Sequence, residues 1–394
     1  MRKRVVVLFL VLALGFSLFA GPSANLYDLV VPEEYTYLYL GSLGTTRFPD
    51  DIIQLNINFT PTTSFGMALG MDGEYRWYRQ TLDTDMDLPA DAYIQITDTS
   101  FTFDLDTSPS YRSYTLEFSG IPSFWGSGID FDVNANLPFS GTSTASLDLS
   151  VYGEVGIGRI YSISMLKTIE TIMEHLNITP TEQMVREVAE IMYNKQQITN
   201  GFSDDYSQNW LSYYRSIAQA MGIPEKTDEL ILIDHSQKYQ FDVARYAGLR
   251  KGWMAALRFV PGLIYTKGFI TSSTDFNGSL YLYGEYAEFL IDETLHLNAD
   301  AGIRVGLDTS LSPSFNATVG TTGTVTYLPE DYRWWANGTI SVNFITTRTE
   351  KLSFELDSRL NYLINPNFTV YGGLGVSTIT DKLSVFAGGQ IRIW

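Results

Sequence analysis

The residues best suited to chemistry are few. The chain holds three histidines, His175, His235 and His296, and no cysteine. No two histidines have the spacing of metal ligands on one element. The lack of cysteine excludes disulfides, thiolate metal sites and a lipidated cysteine behind a leader. A hydrolase built on His296 would need a serine brought to it by the fold, and no nucleophile motif accompanies that histidine. The segment GIGR (Gly156 to Arg159) has the glycines of a phosphate loop, but no Gly-Lys-Ser follows. No catalytic residue, metal ligand or cofactor is expected.

Charged side chains at alternating positions are the second kind of candidate. Asp130 and Asp132 alternate with Ile129, Phe131 and Val133; Asp148 and Glu154 alternate with Leu147, Leu149, Val151 and Val155. Further on, Asp300 and Arg304 oppose Ala299, Ala301, Ile303 and Val305, while Glu355, Asp357 and Arg359 oppose Phe354, Leu356 and Leu360. Period two places one set on each face of a strand. The nine charged residues would line or cross a lumen, where carboxylates favour cations.

Such residues need long strands to position them. GIDFDVNANL, ASLDLSVYGEVGIG, LHLNADAGIRVGL and KLSFELDSRLNYL are each about ten residues or more, the length that crosses a bilayer when tilted. A soluble sandwich would bury the apolar faces against each other, and a transmembrane barrel would turn them to lipid. Gly153, Gly284, Ala299 and Ala301 on the apolar parity fill a dry core poorly but sit acceptably against acyl chains. Aromatic residues make up 14% of the chain and cluster near strand ends. Trp77, Trp334, Trp335 and Trp394 are the expected anchors at the headgroup level.

The middle of the chain changes period. Leu166, Ile169, Ile172, Met173 and Leu176 recur at helical spacing, and TPTE (Thr179 to Glu182) reads as a capping box with proline at the first helical position. Trp210, Tyr214, Ile217, Ala218 and Met221 form a further stripe, stopped by Gly222 and Pro224. At the start, MRKR precedes an apolar run from Val5 to Ala20, the pattern of a secretory leader. With 26 Lys and Arg against 44 Asp and Glu the net charge is −18, so nucleic acid is not an expected partner.

The terminal LSVFAGGQIRIW alternates up to Trp394, as a strand does that closes a barrel against its first strand. In this the chain resembles bacterial outer-membrane β-barrel proteins, whose last strand commonly ends in an aromatic residue read by the insertion machinery. GIGRIYSIS also resembles an uncharacterised group of such barrels with a helical insert after a Gly-x-Gly-Arg strand end, over Val151 to Met221. The resemblance implies outer-membrane lipid and the barrel-assembly machinery as partners, and a location in the cell outer membrane.

The expected fold is a mainly β, transmembrane antiparallel barrel of about 12 to 14 strands with an α-helical insert. Residues 1–20 are the leader, 21–160 and 248–394 the two parts of the barrel, and 161–247 the insert, a plug or a periplasmic domain open to a protein partner. NPN (Asn365 to Asn367), PED (Pro329 to Asp331), DET (Asp292 to Thr294) and TPTTS (Thr60 to Ser64) read as periplasmic turns. Tyr265 to Ser279 and Gln80 to Asp91 read as outer loops. These assignments disagree by one strand, which places a split strand between Tyr93 and Gly128. The expected function is a porin-like passive channel or transporter for small solutes, against a non-conducting structural or assembly barrel whose insert binds a periplasmic partner.

Overall fold

The computed structural model describes residues 29–41, 68–97, 99–118, 120–141, 143–199, 206–236, 245–246, 249–267, 272–291, 294–308, 314–331, 333–346, 352–365, 368–378 and 382–393. The expected leader (1–20), the TPTTS turn and Trp394 lie outside them.

All strands belong to one antiparallel sheet. The first part comprises β1 (Glu33–Gly41), β2 (Ala68–Gln80), β3 (Thr84–Thr97), β4 (Ser100–Thr107), β5 (Ser110–Phe118), β6 (Ile121–Pro138) and β7 (Thr144–Ser162). After the helices come β8 (Arg250–Lys267), β9 (Ser272–Ile291), β10 (Leu295–Asp308), β11 (Ser314–Tyr327), β12 (Trp334–Ile345), β13 (Leu352–Asn365), β14 (Phe368–Ser377) and β15 (Lys382–Ile393). β1 pairs with both β2 and β15, so following the ladder round returns to its start. Closure removes the edges that lipid could not satisfy.

β4 and β5 are one interrupted strand. β4 pairs with residues 90–96 of β3 and 131–138 of β6, while β5 pairs with residues 84–87 of β3 and 121–128 of β6. The break falls at Ser108 and Pro109, where proline has no N–H to give the ladder. The Pro109 carbonyl instead accepts from Ile129 N at 3.0 Å. This is the split strand expected between Tyr93 and Gly128, and it makes fourteen staves.

Burial follows the alternation. Along β7, Leu149, Val151, Val155 and Ile157 are exposed on the outer face, and Tyr152 and Glu154 are buried on the inner one. The outer face carries an apolar belt continued by Phe259, Leu282, Ile303, Ile340 and Leu356. No helix among the described residues is long and apolar enough to cross a membrane; the strands do so.

Five helices lie between β7 and β8: α1 (Ser164–His175), α2 (Glu182–Tyr193), α3 (Lys195–Thr199), α4 (Tyr206–Ala220) and α5 (Thr227–Asp234). β7 runs to Ser162 and β8 begins at Arg250, a residue or two inside the expected limits of 161 and 247. The stripes of α1, α2 and α4 bury against one another: Leu166, Ile169, Met173, Val185, Val188 and Ala218 are all fully buried. Val31, just before β1, is buried in the same core, so the chain ahead of the barrel is part of the helical unit. Capping differs from the expectation. The N-cap of α2 is Thr181, whose side chain accepts from Met184 N, and Pro180 lies outside the helix. α4 ends as expected, with Gly222 at φ +72 and Ile223 N bonded to Ala218 O at 2.8 Å.

Strand directions put the segments at Asp292–Thr294, Pro329–Asp331 and Asn365–Asn367, and the end of β15, at the helix-bearing end of the barrel. Two expected loops are corrected. Gln80 to Asp91 is not an outer loop: only Thr81–Asp83 form the turn, at the helix-bearing end, and β3 follows. Its Asp and Pro content suggested a loop, but Asp85 and Asp87 are inward carboxylates paired with Arg159 and Arg76. Of Tyr265 to Ser279, only residues 268–271 lie between β8 and β9.

Candidate functional site: the barrel lumen

The inward side chains do not form a uniform wall. On the β5–β9 side they are packed. The Glu154 side chain is fully buried and accepts from Arg112 Nε at 2.8 Å, Arg258 Nε at 2.9 Å and Tyr283 OH at 2.6 Å. Arg258 also lies 3.9 Å over the Tyr152 ring. Beneath these, Tyr114, Phe124, Ile160, Met254 and Ala256 form a small internal apolar cluster. One carboxylate with three charged or phenolic donors satisfies the requirement for burying charge.

The opposite wall is wet. A lumenal cavity of about 290 Å³ is lined by Asp130, Asp300, Arg304, Thr322 and Asn343 among others. Asp300 and Arg304 face inward yet are exposed, which requires solvent inside the barrel.

The other expected lumenal residues sit as follows. Asp130 accepts from Ser150 Oγ at 3.3 Å. Glu355, Asp357 and Arg359 share a face of β13, opposite Ser341, Thr339 and Asn337 of β12, and the Arg359 guanidinium stacks 3.6 Å from the Tyr371 ring centre. Asp132 and Asp148 are directly opposite each other. The register extends that pair: Asp132 stands opposite Asp106, and Asp106 opposite Asp91. Four aspartates on β3, β4, β6 and β7 thus form one transverse row on the inner face. Asp91 and Asp106 were not among the expected residues. The alternation of ADAYIQIT held the signal for Asp91, but the position of Asp106 against it is set by the ladder alone.

Anchors also differ from the expectation. Trp77 faces outward near the helix-bearing end and donates its indole N–H to Glu34 at 2.9 Å. Trp334 is outward, opposite Tyr362 and 5.7 Å from Tyr327. Trp335 is opposite the buried Asn361 and therefore faces inward, so it is not a headgroup anchor. Adjacent tryptophans on a strand must take opposite faces. Trp125 and Trp253, four residues into β6 and β8, are outward and exposed at the same end, and complete a girdle with Trp77, Trp334, Tyr327 and Tyr362.

The histidines are structural. His175 and His235 each set a ring nitrogen against the carbonyl four residues earlier, at 2.7 and 2.9 Å. His296 is buried, bonded to Arg250 O at 2.6 Å and edge-on to Phe289. The GIGR segment is a strand end. Gly158 has φ +82, and a Cβ there would run into the Trp253 carbonyl. Arg159, turned by it, holds the β2–β3 turn through Thr81 O at 2.7 Å, Leu82 O and the Asp85 carboxylate at 2.6 Å.

The helical unit meets the barrel at its rim. Gln80 donates to Val31 O at 2.9 Å and accepts from Ser162 N at 2.9 Å; Glu33 accepts from Met165 N at 3.2 Å; Arg79 donates to Tyr193 OH at 2.6 Å. Arg245 reaches Pro329 O at 2.8 Å and Asp331 O at 3.0 Å across the β11–β12 turn. Within the unit, burial and then the Asp234 carboxylate push the Tyr213 phenol well above its ordinary range, so it stays protonated in the helical core.

No protein-family model matches the chain, and no curated protein sequence matches it. Solved structures of like form include a bacterial polysaccharide outer membrane secretin (6% identity, 92% of this chain and 98% of that chain covered, TM-score 0.28). The outer membrane channel DcaP of Acinetobacter baumannii (8%, 92% and 96%, TM-score 0.32) is another, as is the TodX monoaromatic hydrocarbon channel in its deltaS2 mutant form (7%, 94% and 90%, TM-score 0.33). These values establish no correspondence of individual residues. By its own closed ladder, apolar belt and polar interior, the chain is a transmembrane antiparallel β-barrel of the bacterial outer-membrane type.

Proposed function

We propose that the protein is a non-enzymatic, porin-like passive channel for small polar solutes in the outer membrane, its helix-bearing end facing the periplasm. The observation that carries this reading is the wetted inner wall, with Asp300 and Arg304 facing the lumen and exposed to solvent. A barrel filled for structural purposes alone would bury and pair such groups. The aspartate row on β3, β4, β6 and β7 gives the lumen a local negative potential, so the current should be carried mainly by cations.

Single-channel recording on refolded protein under a KCl gradient tests the reading. Discrete conductance steps with a cation-selective reversal potential are expected, and Asp91→Asn, Asp106→Asn, Asp132→Asn together should move that potential toward zero. Protein that inserts but never conducts would support the second reading, a closed barrel whose helical unit binds a periplasmic partner. The packed wall around Glu154 favours that alternative. Insertion under either reading engages the barrel-assembly machinery.

A further inference from the structure

The lumenal cavity contains more than a passive pore requires. Asp130, Asp300, Arg258 and Arg304 all line it, two acids and two guanidiniums, so it carries no net charge of its own. Between them Thr318, Thr322 and Asn343 supply hydroxyl and amide groups, and Tyr281 and Val260 supply apolar area. Acceptors and donors therefore alternate around a neutral space beside an aromatic ring.

Several of these groups are held before any solute arrives. The Tyr281 ring lies over Gly302, where a Cβ would collide with it, and stacks on Tyr283 at 4.9 Å and 12°. Tyr283 is in turn fixed by Glu154. Arg258 is clamped between Glu154 and the Tyr152 ring, Arg304 Nε donates to Ser279 Oγ at 2.9 Å, and Thr322 shares a hydrogen bond with Ser341 at 3.2 Å. Pre-set groups lower the cost of ordering a site around a ligand. Asp300 stands apart: its carboxylate has no hydrogen bond or ion pair among the described residues, and it is exposed in the lumen. Asp300 and Arg304 lie on either side of Gly302, with backbones roughly 13 Å apart at the usual rise of a strand. Their side chains can close that span to the width of one or two sugar rings.

We infer that this cavity is a recognition site for a small neutral polyhydroxylated solute of mono- to disaccharide size, a reading that rests on the solute-channel proposal and names its substrate class. Carboxylates accept from neighbouring hydroxyls, guanidinium and amide groups donate to hydroxyl oxygens, and a phenol ring covers the C–H face of a sugar. An anion would meet Asp130 and Asp300, and a cation would meet Arg258 and Arg304. A fixed charge of either sign is therefore disfavoured in the cavity, even though the aspartate row biases the ionic current elsewhere in the lumen.

The test is saturation-transfer NMR on the detergent-folded full chain, with glucose and sucrose as probes and gluconate and glutamine as charged and zwitterionic comparators. Transfer to the sugars is expected, with at least a tenfold weaker apparent affinity in Asp300→Ala and in Arg304→Ala and none to gluconate. Asp300 supports no other described side chain, so its variant should fold; retained heat-modifiable mobility on gels checks this for both variants. No transfer to either sugar, equal transfer in the folded variants, or preference for glutamine would each overturn the inference. Conductance is recorded in parallel. Sugar binding in a barrel that never conducts upholds the site and removes the channel, whereas conductance without binding removes the site and leaves the channel.

Discussion

Leu356 and Asp357 are neighbours on β13 with opposite surroundings: Leu356 is exposed on the outer belt and Asp357 faces the lumen. Leu356→Arg should cost about 2 to 4 kcal/mol near the bilayer midplane and lower the yield of folded barrel, while Asp357→Asn should leave it unchanged. Urea titration of refolded protein in lipid vesicles measures both, and equal tolerance would overturn the outward assignment of that face. The buried carboxylate of Glu154 makes the opposite demand. Glu154→Ala leaves Arg112 and Arg258 side by side without their shared acceptor, and should destabilise the barrel by about 3 to 5 kcal/mol. The alternation of YGEVGIG places Glu154 inside. The two arginines on β5 and β8 that meet it are not visible in any local pattern, because they lie 42 and 104 residues away.

At the scale of elements, the end of β7 and the helical unit behave differently from their sequence motifs. Gly158→Ala puts a Cβ into the Trp253 carbonyl at a left-handed backbone position, at a cost of about 1 to 3 kcal/mol. The β2–β3 turn should loosen with it, since Arg159 would no longer be aimed at Thr81 and Leu82. Faster amide exchange of residues 81–84 would register that; unchanged exchange would mean that Arg159 reaches the turn by itself. The helices bury their stripes mainly in a core of their own, and Ser162 pairs directly with Arg250. Replacing residues 163–249 with a two-residue turn should therefore leave a barrel that still assembles, as judged by heat-modifiable mobility. Failure to assemble would make the helices part of the barrel's core. A large rise in conductance in the assembled variant would identify the unit as a plug over the lumen, and no change would identify it as a domain beside it.

For the molecule as a whole, closure is the decisive feature. β15 pairs with β14 on one side and β1 on the other, so deleting residues 382–394 exposes two unpaired edges where no water can satisfy them. The truncated chain should fail to insert. A protease-protected, heat-resistant product would show that β1 and β14 can close the barrel without it.

How much of this was legible in the sequence depends on the range of the interaction involved. Strand faces, the helical stripes of α1, α2 and α4, and the outward belt were all readable, because alternation and helical spacing are local consequences of which face meets lipid, water or a neighbouring helix. The interruption at Ser108 and Pro109 was readable only as a miscount, since β4 and β5 become one strand through their shared partners β3 and β6. Trp334 and Trp335 looked equivalent as a pair and were separated by the pleat. Register decided the rest. The aspartate row joins residues up to 57 positions apart in the chain, from Asp91 to Asp148, and the neutral cavity joins β6 to β12; a one-residue slip on any stave would dissolve both while leaving every local pattern intact.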